Sequence, residues 1–161
     1  MNYAIIAAGE GSRLVSEGVA TPKPLVPLCG RPMIGRLIDI FLSCGAESIS
    51  VIVNGQMTEV RRYLEQLKAT LPVELKLVVK TTPSSMHSFY EVSRLFGGQK
   101  FILTTVDTIF RENDFRRYAE AFEAADNIDG MMAVTSYIDD EKPLYVDVDP
   151  QMRITAFRDS P

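Results

Sequence analysis

Short apolar runs alternate with longer amphipathic stretches along most of this chain, and the two periods separate strands from helices. Tyr3 to Ala8 is an apolar run with no room for a helix, which predicts a buried strand; Ser48 to Val53, Val73 to Val79 and Phe101 to Thr105 read the same way. Ile34, Leu37, Ile38, Phe41 and Leu42 recur at helical spacing, and so do Val60, Tyr63, Leu64 and Leu67. The first helix is expected to start at Arg31-Pro32, where a missing N–H costs nothing, and to end at Gly45. Further helices are expected over about Thr58 to Ala69, about Ser85 to Phe96 before Gly97-Gly98, and about Asn113 to Ala125. After Asp129-Gly130, Met131 to Tyr137 predicts another strand. Leu144 to Val148 and Arg153 to Phe157, around Asp149-Pro150-Gln151, predict a hairpin.

Strand, helix, strand, helix, strand makes this an α/β chain. The expected architecture is a three-layer α/β/α sandwich, with a Rossmann-like, mostly parallel sheet and a C-terminal β-hairpin, in one domain spanning residues 1–161. Ligands of such sheets sit beyond the carboxyl ends of the strands. The loop at Gly9, the loop at Ser84 and Asp107 all follow strands, so they are expected to share one edge.

The first of these loops carries the strongest chemistry. Ala7 and Ala8 are small enough to let another group approach the backbone, and Gly9 and Gly11 extend that opening while allowing a positive φ. A strand entering a glycine-rich loop offers backbone N–H groups to an anion. Arg13 adds a planar multidentate cation and Lys23 a mobile point charge, which together suit a triphosphate. A Walker A loop is excluded, because it needs Gly-Lys-Ser/Thr after a wider glycine spacing. A dinucleotide fingerprint is disfavoured, because Leu14 stands in place of its third glycine and the next strand closes with Asn54 instead of an acid. For Lys23 the alternative is a solvated surface lysine, against which Pro22 and Pro24 argue by stiffening the backbone on both sides. Asp107 ends an apolar strand, where a lone carboxylate serves either a metal bound to triphosphate oxygens or a turn cap with Thr108. At Ser84 and Ser85, amides and hydroxyls could read a base edge or simply cap a helix.

Ala7-Ala8-Gly9-x-Gly11-x-Arg13, followed by Pro22-Lys23-Pro24 and Leu25-Val26-Pro27-Leu28-Cys29-Gly30-Arg31-Pro32-Met33-Ile34, resembles the signature of the sugar-phosphate nucleotidyltransferases. The resemblance implies direct in-line attack of a phosphate oxygen on the α-phosphorus of a nucleoside triphosphate, expelling pyrophosphate. The acceptor it implies is a sugar 1-phosphate. Another small phosphate, such as a phosphocholine or a cofactor phosphate, and a nucleotide-binding module without turnover are the alternatives. The resemblance implies that Arg13 neutralises the leaving pyrophosphate and Lys23 reaches the α-phosphate and the attacking group. It further implies that Ala7, Ala8, Gly9, Gly11, Ser12, Thr82, Ser84 and Ser85 line the nucleotide site, and that Asp107 holds Mg2+.

Departures from that pattern are specific. Val106 stands where a glycine usually precedes the metal-binding aspartate. Ser84-Ser85-Met86-His87-Ser88 replaces a glycine-rich base-reading loop, with His87 at the matching position. Asp159 and Ser160 replace a Glu-Lys pair whose lysine would meet the acceptor, and family members generally continue further, so the chain reads as a piece of a longer one.

Charge and composition narrow the partners. The net charge of −4 gives no global pull toward nucleic acid or anionic membrane, and 46% hydrophobic with 24% charged residues is ordinary for a soluble domain. Cys29 and Cys44 have no Cys or His at metal-ligand spacing, so two reduced thiols in a cytoplasmic protein are expected. No signal-peptide pattern or bilayer-spanning run is visible. Base identity and oligomeric state are not encoded in any motif.

Overall fold

The computed structural model describes residues 1–9, 18, 20–138 and 143–160. In chain order the first unit, Met1–Ala124, holds β1 (Asn2–Ile6), β2 (Pro27–Leu28), β3 (Arg31–Pro32), α1 (Met33–Ser43), β4 (Ser48–Val53), α2 (Thr58–Lys68), β5 (Glu74–Val79), α3 (Ser85–Ser93), β6 (Phe101–Thr105) and α4 (Glu112–Ala124). Four parallel strands form its sheet in the order β5-β4-β1-β6, with Asn2 level with both Ser48 and Phe101.

Alternation along β1 explains why both faces are covered. Tyr3 and Ile5 point into a core shared with Ile34, Leu37 and Phe41 of α1, Val60 and Leu64 of α2, and Phe115 and Ala119 of α4. Ala4 and Ile6 point the other way, onto Val92 of α3 and Phe96. Helices on both faces of a parallel sheet give the three-layer α/β/α arrangement expected from the sequence. On the first face Tyr3 stacks on Phe41 with ring centroids 4.5 Å apart. Fully burying a side chain of this size is worth roughly 1.5–3 kcal/mol.

Helix α1 starts later than expected. Pro32 is its N-cap residue, extended at φ −53° and ψ 139°, instead of its first helical residue. Arg31 and Pro32 pair with Leu28 and Pro27 in a two-strand ribbon, turned by Cys29 at φ 49° and Gly30 at φ 80°. Two successive positive-φ residues make a tight hairpin, and the turn chemistry overrode the proline signal for a helix start.

The second unit, Ala125–Pro161, contains the expected hairpin, β7 (Tyr145–Val148) antiparallel to β8 (Ile154–Arg158), with a register irregularity at Asp147/Val148. Asp149 organises its turn by accepting the N–H groups of Gln151 (3.0 Å) and Arg153 (2.9 Å). The strand expected from Met131 to Tyr137 is not formed. That segment is irregular, and the Tyr137 N–H turns back onto its neighbour Thr135 Oγ1 instead of a ladder partner. Among the described residues no helix is long and apolar enough to cross a membrane.

Candidate active site

Lys23 is delivered by a short, anchored turn. Pro22 accepts the N–H of Leu25 at 2.8 Å, Pro24 is buried, and the Val26 carbonyl accepts the N–H of Met33 at the start of α1. The two prolines and these bonds leave the lysine stem as the mobile part. Its Nζ lies 2.5 Å from Asp107 Oδ2, an ion pair between groups far apart in sequence and both partly open to solvent.

Asp107 follows β6, one residue beyond Val106. The Val106 side chain is buried in the core and its N–H donates to the Ile6 carbonyl at 3.1 Å, while the residue also borders the cleft. Burial raises the Asp107 carboxyl pKa, but hydrogen bonds from Lys23 and Thr105 and the lysine charge outweigh it and hold the group below the usual carboxylate range. The adjacent turn is held by the Thr108 N–H on the Thr105 carbonyl (3.3 Å) and the paired Thr105 and Thr108 hydroxyls (2.8 Å), and the carboxylate joins it through Thr105 and its own N–H.

Across the cleft, the loop after β5 meets the start of α3. Thr82 donates to the Ser84 carbonyl (3.2 Å), so the 2.6 Å contact between the Thr82 and Ser88 hydroxyls is donated by Ser88. Ser84 occupies the N-cap position, yet no side chain caps the helix; its hydroxyl contacts His87 Nδ1 at 2.8 Å. The simple capping role expected as one alternative is therefore not what Ser84 performs. The first-turn amides of α3, with the positive end of the helix dipole, remain without a side-chain cap.

These elements enclose a cleft of about 470 Å³ at the carboxyl end of the sheet. Ala8, Gly9, Lys23, Thr82, Ser84, Ser85 and Asp107 all line it. Ala7 lies beneath, fully buried, with its N–H committed to the Ile52 carbonyl at 2.9 Å. Gly9 has no positive φ, contrary to the freedom expected of it, and among the described residues a Cβ there would meet no atom within 4 Å. Gly11, Ser12 and Arg13 lie outside the described residues.

Sequence reasoning missed Asn54 as a site residue, weighing it only as the non-acidic close of its strand. Its side chain is 5% exposed, donates through Nδ2 to the Ala8 carbonyl at 3.2 Å and accepts the Gln56 N–H through Oδ1 at 3.0 Å. A polar residue closing an otherwise apolar strand was the available signal.

A cation, a carboxylate, uncapped helix amides and hydroxyls around one cleft can bind a polyphosphate and align two phosphate-bearing groups. Among the described residues no three His, Cys, Asp or Glu side chains gather into a metal cage. The lone Asp107 thus fits a Mg2+ that arrives on phosphate oxygens, for which one or two carboxylates suffice.

A family model described as the MobA-like NTP transferase domain matches residues 3–158. The chain is 36% identical over 117 residues to a 2-aminoethylphosphonate cytidylyltransferase of Lancefieldella rimae, covering 71% of this chain and 46% of that protein. It is 31% identical over 123 residues to a CMP-5'-(3-aminopropyl)phosphonate synthase of Streptomyces rubellomurinus, covering 75% of this chain and 19% of that protein. The chain therefore spans less than half the length of these curated relatives. A solved Bacillus anthracis structure, provisionally named a glucose-1-phosphate thymidylyltransferase, superposes with a TM-score of 0.79 at 20% identity. It covers 100% of this chain and 65% of its own, a likeness in fold.

Proposed function

This chain belongs to the MobA-like NTP transferase family, and from that premise we propose that its cleft transfers a nucleotidyl group from a nucleoside triphosphate to a small phosphate-bearing acceptor. The observation that carries this reading is the Lys23–Asp107 pair at the carboxyl end of the sheet, facing the hydroxyl-rich start of α3. The Gly9 amide and the α3 amides supply the neutral half of a triphosphate site. Lys23 supplies the charge at the α-phosphate once it leaves Asp107, and Asp107, so released, would hold Mg2+. The ion would neutralise charge on the triphosphate oxygens. Arg13 would neutralise the departing pyrophosphate.

The reaction is in-line displacement. An acceptor oxygen forms a bond to the α-phosphorus while the bond from that phosphorus to the bridging oxygen breaks, and the electron pair leaves on pyrophosphate. No protein nucleophile is needed, so positioning and charge neutralisation account for the catalysis.

Sugar 1-phosphate is the acceptor implied by the sequence signature. A second acceptor class, a small aminoalkyl phosphonate with CTP as donor, is favoured by the 36% identity over 117 residues to a cytidylyltransferase of that kind. Ser84 and Met86 stand where the resembled base-reading loop has its glycines, so the base read here is a matter for titration. On this reading the reaction belongs to the cytoplasm and takes no nucleic acid or membrane as partner.

Calorimetric titration with ATP, GTP, CTP, UTP and dTTP, each with and without Mg2+, tests the reading. Magnesium-dependent binding of one nucleotide that is lost in Asp107→Ala is expected. Equal binding in that variant would remove Asp107 from the metal role, and no binding of any nucleotide by the folded chain would overturn the site. Pyrophosphate release with glucose 1-phosphate against 2-aminoethylphosphonate then separates the two acceptors.

A further inference from the structure

Asn54 is the buried polar side chain at the cleft whose two ends are both committed to backbone. The Gln56 N–H needs an acceptor and the Ala8 carbonyl needs a donor, so the amide has one orientation that satisfies both: Oδ1 on Gln56 at 3.0 Å, Nδ2 on Ala8 at 3.2 Å. The residue thereby ties the loop after β4 to the loop after β1, although the two lie far apart in sequence.

The consequence follows from peptide geometry. The Ala8 C=O and the Gly9 N–H belong to one rigid planar unit and point in opposite directions. Holding the carbonyl fixes the direction of the amide. Gly9 itself provides no such constraint: it has no side chain to anchor it, and among the described residues its Cβ position is open. The Ala7 N–H below is already fixed by the Ile52 carbonyl, and Ala8–Gly9, two peptides further on, is held through its carbonyl by Asn54.

We infer that Asn54 is a positioning residue, presetting the Gly9 amide toward the cleft for the phosphates of the nucleotide. This rests on the nucleotide reading of the cleft given above. An aspartate of the same shape could not substitute, because it has no hydrogen to give the Ala8 carbonyl and would set a carboxylate oxygen against it.

Two variants and two readouts test this. In Asn54→Ala, the backbone resonances of Ala8 C′ and Gly9 N–H are expected to move in NMR spectra while those of α1 and α4 stay in place. Affinity for CTP, or for whichever of the five triphosphates the wild type binds, is expected to fall about 3- to 10-fold, the worth of one hydrogen bond in the binding equilibrium. Cytidine or the matching nucleoside, which has no phosphate, should bind Asn54→Ala as it binds wild type. Should Asn54→Ala not fold, Asn54→Asp keeps the Gln56 bond and exchanges the donor to Ala8 for a carboxylate oxygen; the same two resonances should move there too. Unmoved Ala8 and Gly9 resonances in a folded variant would overturn the inference, as would equal loss for nucleoside and triphosphate. Failure of the wild type to bind any of the five triphosphates would instead overturn the nucleotide reading on which the inference rests.

Discussion

At the amino end of the sheet Asn2 accepts from Ser48 Oγ (2.8 Å) and donates to Gln99 (3.2 Å), and Tyr3 donates to the Cys44 carbonyl (3.1 Å). At the carboxyl end Lys23 meets Asp107, Ser84 meets His87 and the first turn of α3 has no side-chain cap. Both ends have polar residues, but they use them differently. The amino end joins strand to strand and strand to helix with bonds that nothing else needs to complete. The carboxyl end holds a charge pair that can be exchanged and amides that await an acceptor. Stability is concentrated at one end and ligand chemistry at the other, a division seen generally where parallel strands present their carboxyl ends to a ligand.

The largest expected effect that would sharpen this division lies under the amino end. Phe41 stacks between Tyr3 and Phe115, and Phe41→Ala removes that packing and leaves a cavity, costing about 3–5 kcal/mol in chemical denaturation. Measured where the variant is still folded, its nucleotide affinity should equal the wild type's. Affinity that falls together with stability would mean that the two ends are one cooperative site.

Lys23→Ala is the mirror experiment. Transfer should slow by about 10²–10³-fold, the usual effect of removing one donor aimed at developing charge. Denaturation should shift by less than about 1 kcal/mol, because half-exposed ion pairs contribute little. Stability lost in proportion to activity would assign Lys23 to the scaffold. Asp107→Asn sits one step lower, with the Mg2+-dependent part of nucleotide binding expected to vanish and the Mg2+-independent part expected to remain. Because the Asp107 pKa is lowered in the folded state, its small stabilisation is present above the ordinary carboxylate value and is lost as pH falls through the lowered one.

The same division governs what could be read from the sequence. β1, β4 and β6 were legible because buried parallel strands are near-continuous apolar runs, and residues immediately after such strands named Gly9 and Asp107. Thr82, Ser84 and Ser85 followed from their place at a strand–helix junction. What failed was local chemistry set by distant partners. Pro32 looked like a first helical residue until Pro27 was seen to pair with it, and Met131 to Tyr137 has strand composition without a ladder. Val106 stood out as a departure from the resembled pattern, and its place, buried in the core at the edge of the cleft, came only with the fold. Asn54 was legible only as the absence of an acid at the end of its strand, since its role exists only where the Ala8 carbonyl is brought beside it.

The smallest effect is expected at Tyr3, and it carries a sign that can be checked. Burial, followed by the nearby Cys44, pushes the phenol from 10.0 up to about 12. Below the unfolded value both states keep the proton and Tyr3 contributes its full stabilisation. As pH rises from there through the folded value, the unfolded chain ionises first, so stability falls. Tyr63 and Tyr118, also raised by burial, share that alkaline limb. Tyr3→Phe removes the hydrogen bond to Cys44 and should cost about 1 kcal/mol at neutral pH. It cannot ionise, so its deficit against the wild type should shrink as pH climbs past the unfolded tyrosine value. Denaturation at pH 7 and pH 11 reads both quantities. A deficit of the same size at both would mean that Tyr3 ionises as readily folded as unfolded. A change in nucleotide affinity at neutral pH would break the separation of the two ends at its weakest point, since Tyr3 and the cleft-lining Ala8 lie on the same short segment.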